Sequence, residues 1–350
     1  MRRQLHTEVQ FPGPTPAFTQ VPKEIRDRIR DLPATPETLR LAEGQVEALL
    51  EAEMHNPSFS APPPPTVRIV SWNAGQCRFP RRAASVLSGA GADIALLTGM
   101  DIGMNRSGQH HTLALVADTM AQSTGIPYGY GAGIEFYELN ASGDARNPAG
   151  QPVENRSGFH ANGWVTRFKA RRPALIRLQP EADWFINPLG GQRRVGSRLA
   201  VAAIFELGGF ELVAASVRLE RTSDAAGRRR QMRLLLEGLD DYAARRPVVL
   251  GGDFSTGAEH PDCDYHDEGL FREAERCGYE WENANTRGGT VRGNSVRDGN
   301  GPEKARFDWF FVKGVRPLHP AVVPAEDETG EPLSGHDAIA FTLPIPVDLR

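Results

Sequence analysis

Two short segments of this chain hold residue types suited to moving protons. An apolar run, Val248-Val249-Leu250, leads through Gly251-Gly252 to Asp253 and then to Phe254-Ser255-Thr256. A carboxylate directly after a buried strand is delivered to the sheet's end, where a reaction centre can lie. His336 occupies a Ser-Gly-His-Asp turn just before the apolar run Ala338 to Leu343. A strand-end carboxylate and an imidazole make a base and an acid for general acid–base chemistry. Arg218 closes another apolar run with a permanently charged, planar, five-donor group, better suited to holding a carboxylate or phosphate than to proton transfer.

The elements that must position these residues are short and alternate with polar loops. Strands are expected at Val67–Trp72, Ile94–Leu97, Trp164–Phe168, Ala174–Leu178, Leu199–Leu207, Glu211–Val217, Val248–Gly251, Trp309–Val312 and Ile339–Leu343. Helices are expected at Arg81–Gly89, Thr112–Gln122, Ala225–Arg245 and Tyr265–Arg276. The hairpin-like spacing across 164–217 favours packed, largely antiparallel sheets with helices outside, an α/β architecture. Residues 1–65 read separately, as an N-terminal helical and Pro-rich arm. It holds a short helix at Pro22–Asp31, a longer one at Thr35–Met54, and a stiff linker at Ala61-Pro62-Pro63-Pro64-Pro65. This arm packs either on the main domain, residues 66–350, or on a partner or second copy.

Composition excludes several classes. The net charge of −4 gives no global field for wrapping nucleic acid, and almost all positive charge is arginine, with lysine only at 23, 169, 304 and 313. Three cysteines, Cys77, Cys263 and Cys277, match neither a disulfide framework nor a zinc spacing, which agrees with a reducing cytoplasm. No run is long enough to span a membrane, and the first residues lack a secretory apolar core. The run Glu259–Glu268 is dense in metal-capable side chains but has no recognised ligand spacing. His110-His111 precede a helix and read as loop and cap, with Thr112 as the N-cap. Trp281, Trp309 and Phe310-Phe311 read as core and cleft wall, and Gly288–Gly301 as a loop.

Seven segments fall in a telling order: Ser71-Trp72-Asn73; Leu96-Leu97-Thr98-Gly99-Met100-Asp101; Gly158 to Arg167; Ser216-Val217-Arg218-Leu219-Glu220; Gly251 to Thr256; Arg306 to Phe311; and Ser334-Gly335-His336-Asp337. This order resembles the endonuclease/exonuclease/phosphatase superfamily, the DNase I-like fold, over roughly residues 66–345. The resemblance implies a four-layer α/β sandwich of two packed mixed sheets flanked by helices, with strand ends converging on one cleft. It also implies phosphate-ester cleavage with a divalent metal, usually Mg²⁺. In that scheme an Asn and a Glu hold the metal, a Gly-Asp-x-Asn segment orients water, and histidines stabilise the phosphate, one of them oriented by a preceding Asp.

Carried over by position, Asn73, Asp253 and His336 match the family pattern, and Asn162 matches the Asn of its Gly-Asn-Ala segment. Four positions depart from it. Gly99 stands where the metal-binding Glu is expected, Arg218 where a His opens a His-Leu-Glu segment, Ser255 in place of Asn, and Gly335 in place of the Asp expected to orient His336. Mg²⁺ is usually held by one or two carboxylates, so no cofactor is expected. If a weakened Mg²⁺ site persists, Asn73, Asp253 and Asp101 are its candidate ligands. The catalytic candidates are Asp253, His336 and Arg218, and the substrate-binding candidates are Asn73, His160, Asn162, Arg167, Ser255 and Asp308. Asp308, in Phe-Asp-Trp-Phe, also matches a family Asp near the cleft and is expected to hold a neighbouring Arg or His in place. The leading expectation is a cytoplasmic enzyme with a degenerate metal site, repurposed for a small anionic molecule rather than nucleic acid. A weakened Mg²⁺-dependent phosphoesterase and a non-catalytic binding protein are the alternatives.

Overall fold

The computed structural model describes residues 9–59, 62–141, 146–178, 184–188, 191–258, 265–292 and 305–346. Along the chain these form β1 (Val9–Gln10), β2 (Pro14–Thr15), α1 (Lys23–Asp31), α2 (Pro36–Glu43), β3 (Ala52–His55), β4 (Thr66–Gln76), α3 (Pro80–Gly89) and β5 (Ile94–Ile102). Next come α4 (Thr112–Thr124), β6 (Gly129–Glu138), β7 (Phe159–Thr166), β8 (Lys169–Arg177), β9 (Arg194–Gly196), β10 (Leu199–Leu207) and β11 (Phe210–Arg218). The last elements are α5 (Ala225–Ala243), β12 (Val248–Asp253), α6 (Gly269–Arg276), β13 (Asp308–Lys313), β14 (Leu318–Val323) and β15 (Ala338–Pro344).

The strands make two mixed sheets. One has six strands in the order β1-β8-β10-β11-β12-β13, and the other nine in the order β14-β15-β4-β5-β7-β6-β3-β2, with β9 paired to β6. Side-chain alternation explains the layering. In β4, Val67 and Ile69 enter the core between the sheets, whereas Val70, Trp72 and Ala74 face α3 and α4. In β10, Leu199, Val201 and Phe205 face the same inter-sheet core, while Ala200, Ala202 and Ile204 face α5 and α6. Each sheet is therefore buried on both faces, and the result is an α/β sandwich with helices outside.

The N-terminal segment is woven into these sheets. β1 pairs with β8, β2 with β3, and β3 with β6. The helix expected to reach Met54 ends at Glu43, and Ala52–His55 is a strand instead. Gly44 stops the helix, and Glu47–Leu50 continue only as a 3₁₀ turn. Half-buried Arg177 ties this turn in: its Nη2 donates to Leu49 O, and also to Ile134 O at 2.8 Å.

Strand β6 escapes a sequence reading because Gly129, Gly131 and Gly133 break its apolar pattern. Packing requires those glycines. A Cβ on Gly131 would lie 2.1 Å from the Trp164 ring, and one on Gly133 2.6 Å from Leu175. β14 is likewise hidden by Pro320 within a half-buried edge strand.

What matters for function is the direction of the strands. β4 runs parallel to β5, and β11 parallel to β12. Their C-terminal ends carry Asn73, Asp101, Arg218 and Asp253. The antiparallel β7 and β13 bring His160 and Asp308 to the same rim, where His160 faces Asp101 and Asp308 faces Asp253 across the ladders. β15 runs antiparallel to β4, so its entry turn sets His336 beside Asn73.

Candidate active site

At the cleft floor, Asp253 is the hub. Its Oδ1 accepts from the backbone N–H of Ser255 at 2.9 Å and from Ser255 Oγ at 3.0 Å. Its Oδ2 accepts from Asn73 Nδ2 at 2.8 Å and lies 3.4 Å from Arg218 Nε. The Asn73 amide is oriented by the Gly75 N–H, which donates to Asn73 Oδ1 at 3.1 Å. Ser334 Oγ donates to the Asn73 carbonyl at 2.6 Å, and Trp72 Nε1 donates to the His336 carbonyl at 2.9 Å. These two bonds pin the turn bearing His336 to the strand bearing Asn73.

His336 lies between two carboxylates. Its Nδ1 is 2.8 Å from Asp308 Oδ2, and its Nε2 is 3.9 Å from Asp253 Oδ2 and 3.4 Å from Asn73 Nδ2. Asp308 Oδ2 also accepts from Thr290 Oγ1 at 2.7 Å. Burial works against the imidazolium, but Asp308 and Asp253 outweigh it and hold the His336 pKa above its usual value. Burial raises the Asp308 carboxyl; for Asp253 burial is outweighed by His336, Arg218 and Ser255, and its pKa is lowered. The partner of His336 is thus Asp308, and the glycine at 335 removes nothing that the imidazole needs. Asp308, expected near the cleft both as a substrate-binding candidate and as the holder of a neighbouring Arg or His, stands behind the histidine.

A second histidine–carboxylate pair lines the same cleft. His160 Nδ1 is 2.7 Å from Asp101 Oδ1, and its ring stacks on Phe136 with centroids 4.6 Å apart. Asp101 also accepts from Arg106 Nε and Nη2 at 2.7 and 2.9 Å, so both its oxygens are engaged by His160 and Arg106. Asn162 is buried beneath the cleft, where its Nδ2 donates to Leu199 O at 2.8 Å and lies 3.4 Å from Glu135. Arg167 is not brought to the cleft. β7 is antiparallel to β5, so seven residues after His160 the chain has crossed the sheet, and Arg167 pairs with Asp93 at 3.1 Å. The expected Thr112 cap is also displaced: His111 caps α4, its Nδ1 accepting from the Ala114 N–H at 3.3 Å. Residues 259–264 of the acidic run and 293–301 of the glycine-rich loop lie outside the described residues.

The cleft has a volume of about 830 Å³, and seven arginines line it: Arg78, Arg106, Arg194, Arg198, Arg218, Arg221 and Arg292. Sequence reading singled out only Arg218. Arg194 belongs to a doublet that reads as solvated surface, and Arg198 is an isolated residue before a strand. The signal that could have found Arg198 is its position one residue before a fully apolar run, where an unpaired guanidinium must meet an acid.

Fit to a divalent cation is decided by Gly99. Its φ of +69° is the left-handed region, and a Cβ there would lie 2.6 Å from Asn73 Oδ1. Both neighbouring ladders shift register around this residue. No carboxylate can enter from this position without rebuilding the bulge. Asp253, Asp308 and His336 do hold ligand-type atoms within 4.8 Å of one another. Asp308 and His336 are already joined by a hydrogen bond, however, and the space beside Asp253 receives the Asn73 amide N–H and the Arg218 guanidinium. Both carry positive potential where a cation would need oxygen. Gly99→Glu, alone or with Arg218→His, is expected to lower stability by more than about 1–2 kcal/mol. It should bring no Mn²⁺ binding, and calorimetric titration beside a denaturation curve would check both.

Known structures place this architecture. The chain matches no family model, and no curated protein matches it. An endonuclease/exonuclease/phosphatase from Beutenbergia cavernae DSM 12333 superposes with a TM-score of 0.57 at 16% identity, covering 81% of this chain and 72% of that one. The human Nocturnin catalytic domain with bound sulfate anion gives 0.52 at 13%, covering 83% and 96%. Truncated Caenorhabditis elegans TDP2 gives 0.50 at 15%, covering 80% and 98%. The fold is the DNase I-like α/β sandwich that these structures share. At these identities the likeness defines the scaffold, and the chemistry has to be argued from the site. Among the described residues, no helix is long and apolar enough to cross a membrane.

Proposed function

We propose that this chain is a general-acid enzyme that hydrolyses an ester of a small phosphate-like anion, without a divalent metal. The observation that carries this reading is Arg218. Its guanidinium lines the cleft beside Asp253, yet its Nε–H makes no hydrogen bond and, among the described residues, its other donors make none. An arginine that merely sealed a dead site would spend its fork on Asp253 in bidentate fashion. Here the charge is fixed and the donors are unspent, as an anion seat requires.

The roles follow from geometry. Arg218 holds the anionic oxygens and supplies the positive charge that developing negative charge needs. His336, whose protonated form Asp308 favours, presents Nε2 to the cleft as the proton donor for the departing oxygen, while a water molecule forms the new bond to phosphorus and releases its proton to solvent. Asp253 accepts hydrogen bonds from Ser255 and Asn73 and stands 3.4 Å from the Arg218 Nε as an ion pair only, which suits positioning better than proton abstraction. Asn73 and Ser255 hold that carboxylate in place. A solved protein of this fold, the human Nocturnin catalytic domain, has a bound sulfate anion, a tetrahedral oxyanion of the class proposed here. The Mg²⁺-dependent alternative is disfavoured by Gly99 and by the cationic groups beside Asp253.

The test combines phosphate titration with turnover of 4-nitrophenyl phosphate and bis(4-nitrophenyl) phosphate, with and without EDTA. Phosphate should bind, and turnover should be indifferent to the chelator. Turnover seen only with added Mg²⁺ or Mn²⁺, and lost in Asp253→Ala, would establish a metal phosphoesterase instead. Phosphate binding with no turnover of either ester would favour a binding protein.

A further inference from the structure

Beside Arg218 the cleft wall carries more guanidiniums than one phosphate can use. Arg198 donates from Nε to Glu220 and from Nη1 to Glu135, both at 3.1 Å. Arg194 sets Nε and Nη2 against Glu138 Oε1 at 3.2 and 3.1 Å. Arg106 spans Asp101 and Glu138. All of these carboxylates are buried, whereas the guanidiniums line the cleft. Aromatic rings fix their planes from below: Arg194 lies 4.4 Å over Phe136, and Arg198 4.7 Å over Trp184.

This stacking leaves a defined surplus. Among the described residues, Arg194 Nη1 and Arg198 Nη2 make no hydrogen bond, and both residues line the same cleft as the unspent fork of Arg218. The guanidiniums also stand close enough to repel one another. After burial, Arg198 is the main group lowering the Arg218 pKa, and both Arg106 and Arg198 press on Arg194. Carboxylates underneath neutralise the row on its buried side only. A ligand that brings negative charge to the open side relieves the repulsion without reorganising any side chain.

Resting on the reading that the cleft binds a phosphate-like anion at Arg218, we infer that Arg218, Arg198 and Arg194 form two adjoining anion seats. The substrate class is then a molecule with at least two anionic groups in series, such as a diphosphate or a phosphate linked to a carboxylate. The reacting group sits at Arg218 and His336, and the second group on Arg198 and Arg194. Arg198 borders both seats.

Calorimetric titration of the full chain with inorganic phosphate, pyrophosphate and tripolyphosphate tests this at fixed ionic strength. One of the two longer anions should bind roughly tenfold or more tightly than phosphate, because the second seat is engaged intramolecularly. Arg194→Gln should bring the longer anions down to the phosphate level, and Arg194→Lys, which keeps charge but loses the planar fork, should restore part of the advantage. Thermal denaturation of both variants identifies any that misfold, and the lysine variant keeps the comparison available. If phosphate binds but neither longer anion binds more tightly, or Arg194→Gln leaves their advantage intact, the two-seat inference is overturned while the anion-binding reading stands. If none of the three binds, both fall.

Discussion

Arg218→Met should cost about 10²- to 10³-fold in turnover and abolish measurable phosphate binding, while thermal stability changes far less. Among the described residues, no protein acceptor uses the donors of this guanidinium in the cleft. Removing one preorganised donor to a developing oxyanion costs about 2.7–4 kcal/mol in other enzymes. Methionine keeps the length of the stem, so the loss reports the charge and the fork. Arg218→Lys should recover little, since a point charge on a flexible stem does not reproduce a planar, bidentate donor. Equal turnover in wild type and Arg218→Met would remove Arg218 from the mechanism and leave it as a structural counter-ion to Asp253.

A second large effect is expected at the histidine. His336→Gln should lower turnover by about 10²- to 10⁴-fold, the range in which a positioned general acid contributes. Asp308→Asn separates orientation from charge, because the amide still accepts from Nδ1 but no longer stabilises the cation. A proton donor works while it is protonated, so activity should fall as pH rises through the His336 pKa. Removing the Asp308 charge lowers that pKa, and the basic limb of the rate profile should move to lower pH, leaving the low-pH rate less affected. An unmoved limb would mean that His336 is not the group titrating. The same linkage acts on stability. A histidine whose folded pKa lies above its unfolded one stabilises fully below the unfolded value near 6.5, and that contribution fades as pH rises through the raised value.

Much of the scaffold was legible because strand periodicity and strand ends carry strong signals. Val248 to Asp253 reads as a buried strand delivering a carboxylate, and it is one. The two-sheet sandwich, the convergence of Asn73, Asp253 and His336, and the replacement at Gly99 all follow from segment order. What remained hidden depends on contacts between distant segments. β6 was masked by glycines that exist to admit the Trp164 and Leu175 side chains. Arg167 was misplaced because seven residues along a strand cross a sheet, which one-dimensional spacing does not show.

The site shows the same division. The glycine before His336 looked like a lost orienting group, although the partner is Asp308, twenty-eight residues upstream. Arg194 read as surface charge and Arg198 drew no reading, because their acids, Glu135, Glu138 and Glu220, lie on other strands and loops. Asp101 looked available to a metal until cross-strand register placed it on His160 and Arg106. Residue type announced the chemistry, and sheet register decided which residues share it.

The register of β12 and β13 has a consequence for how the molecule comes together. Asp253 and Asp308 are directly opposed across that ladder, and both are buried. Like charges in this arrangement disfavour the pairing of their strands. The imidazole that reconciles them enters on the turn before β15, a strand of the other sheet, and emerges from the ribosome after both aspartates. Until β15 docks on β4, the two carboxylates must stay solvated or take up protons, so closing the sandwich and assembling the cleft floor become one event. The C-terminal strand is therefore the keystone of biosynthesis for this site, and partial chains ending before it should expose β12 and β13 to chaperones and proteases.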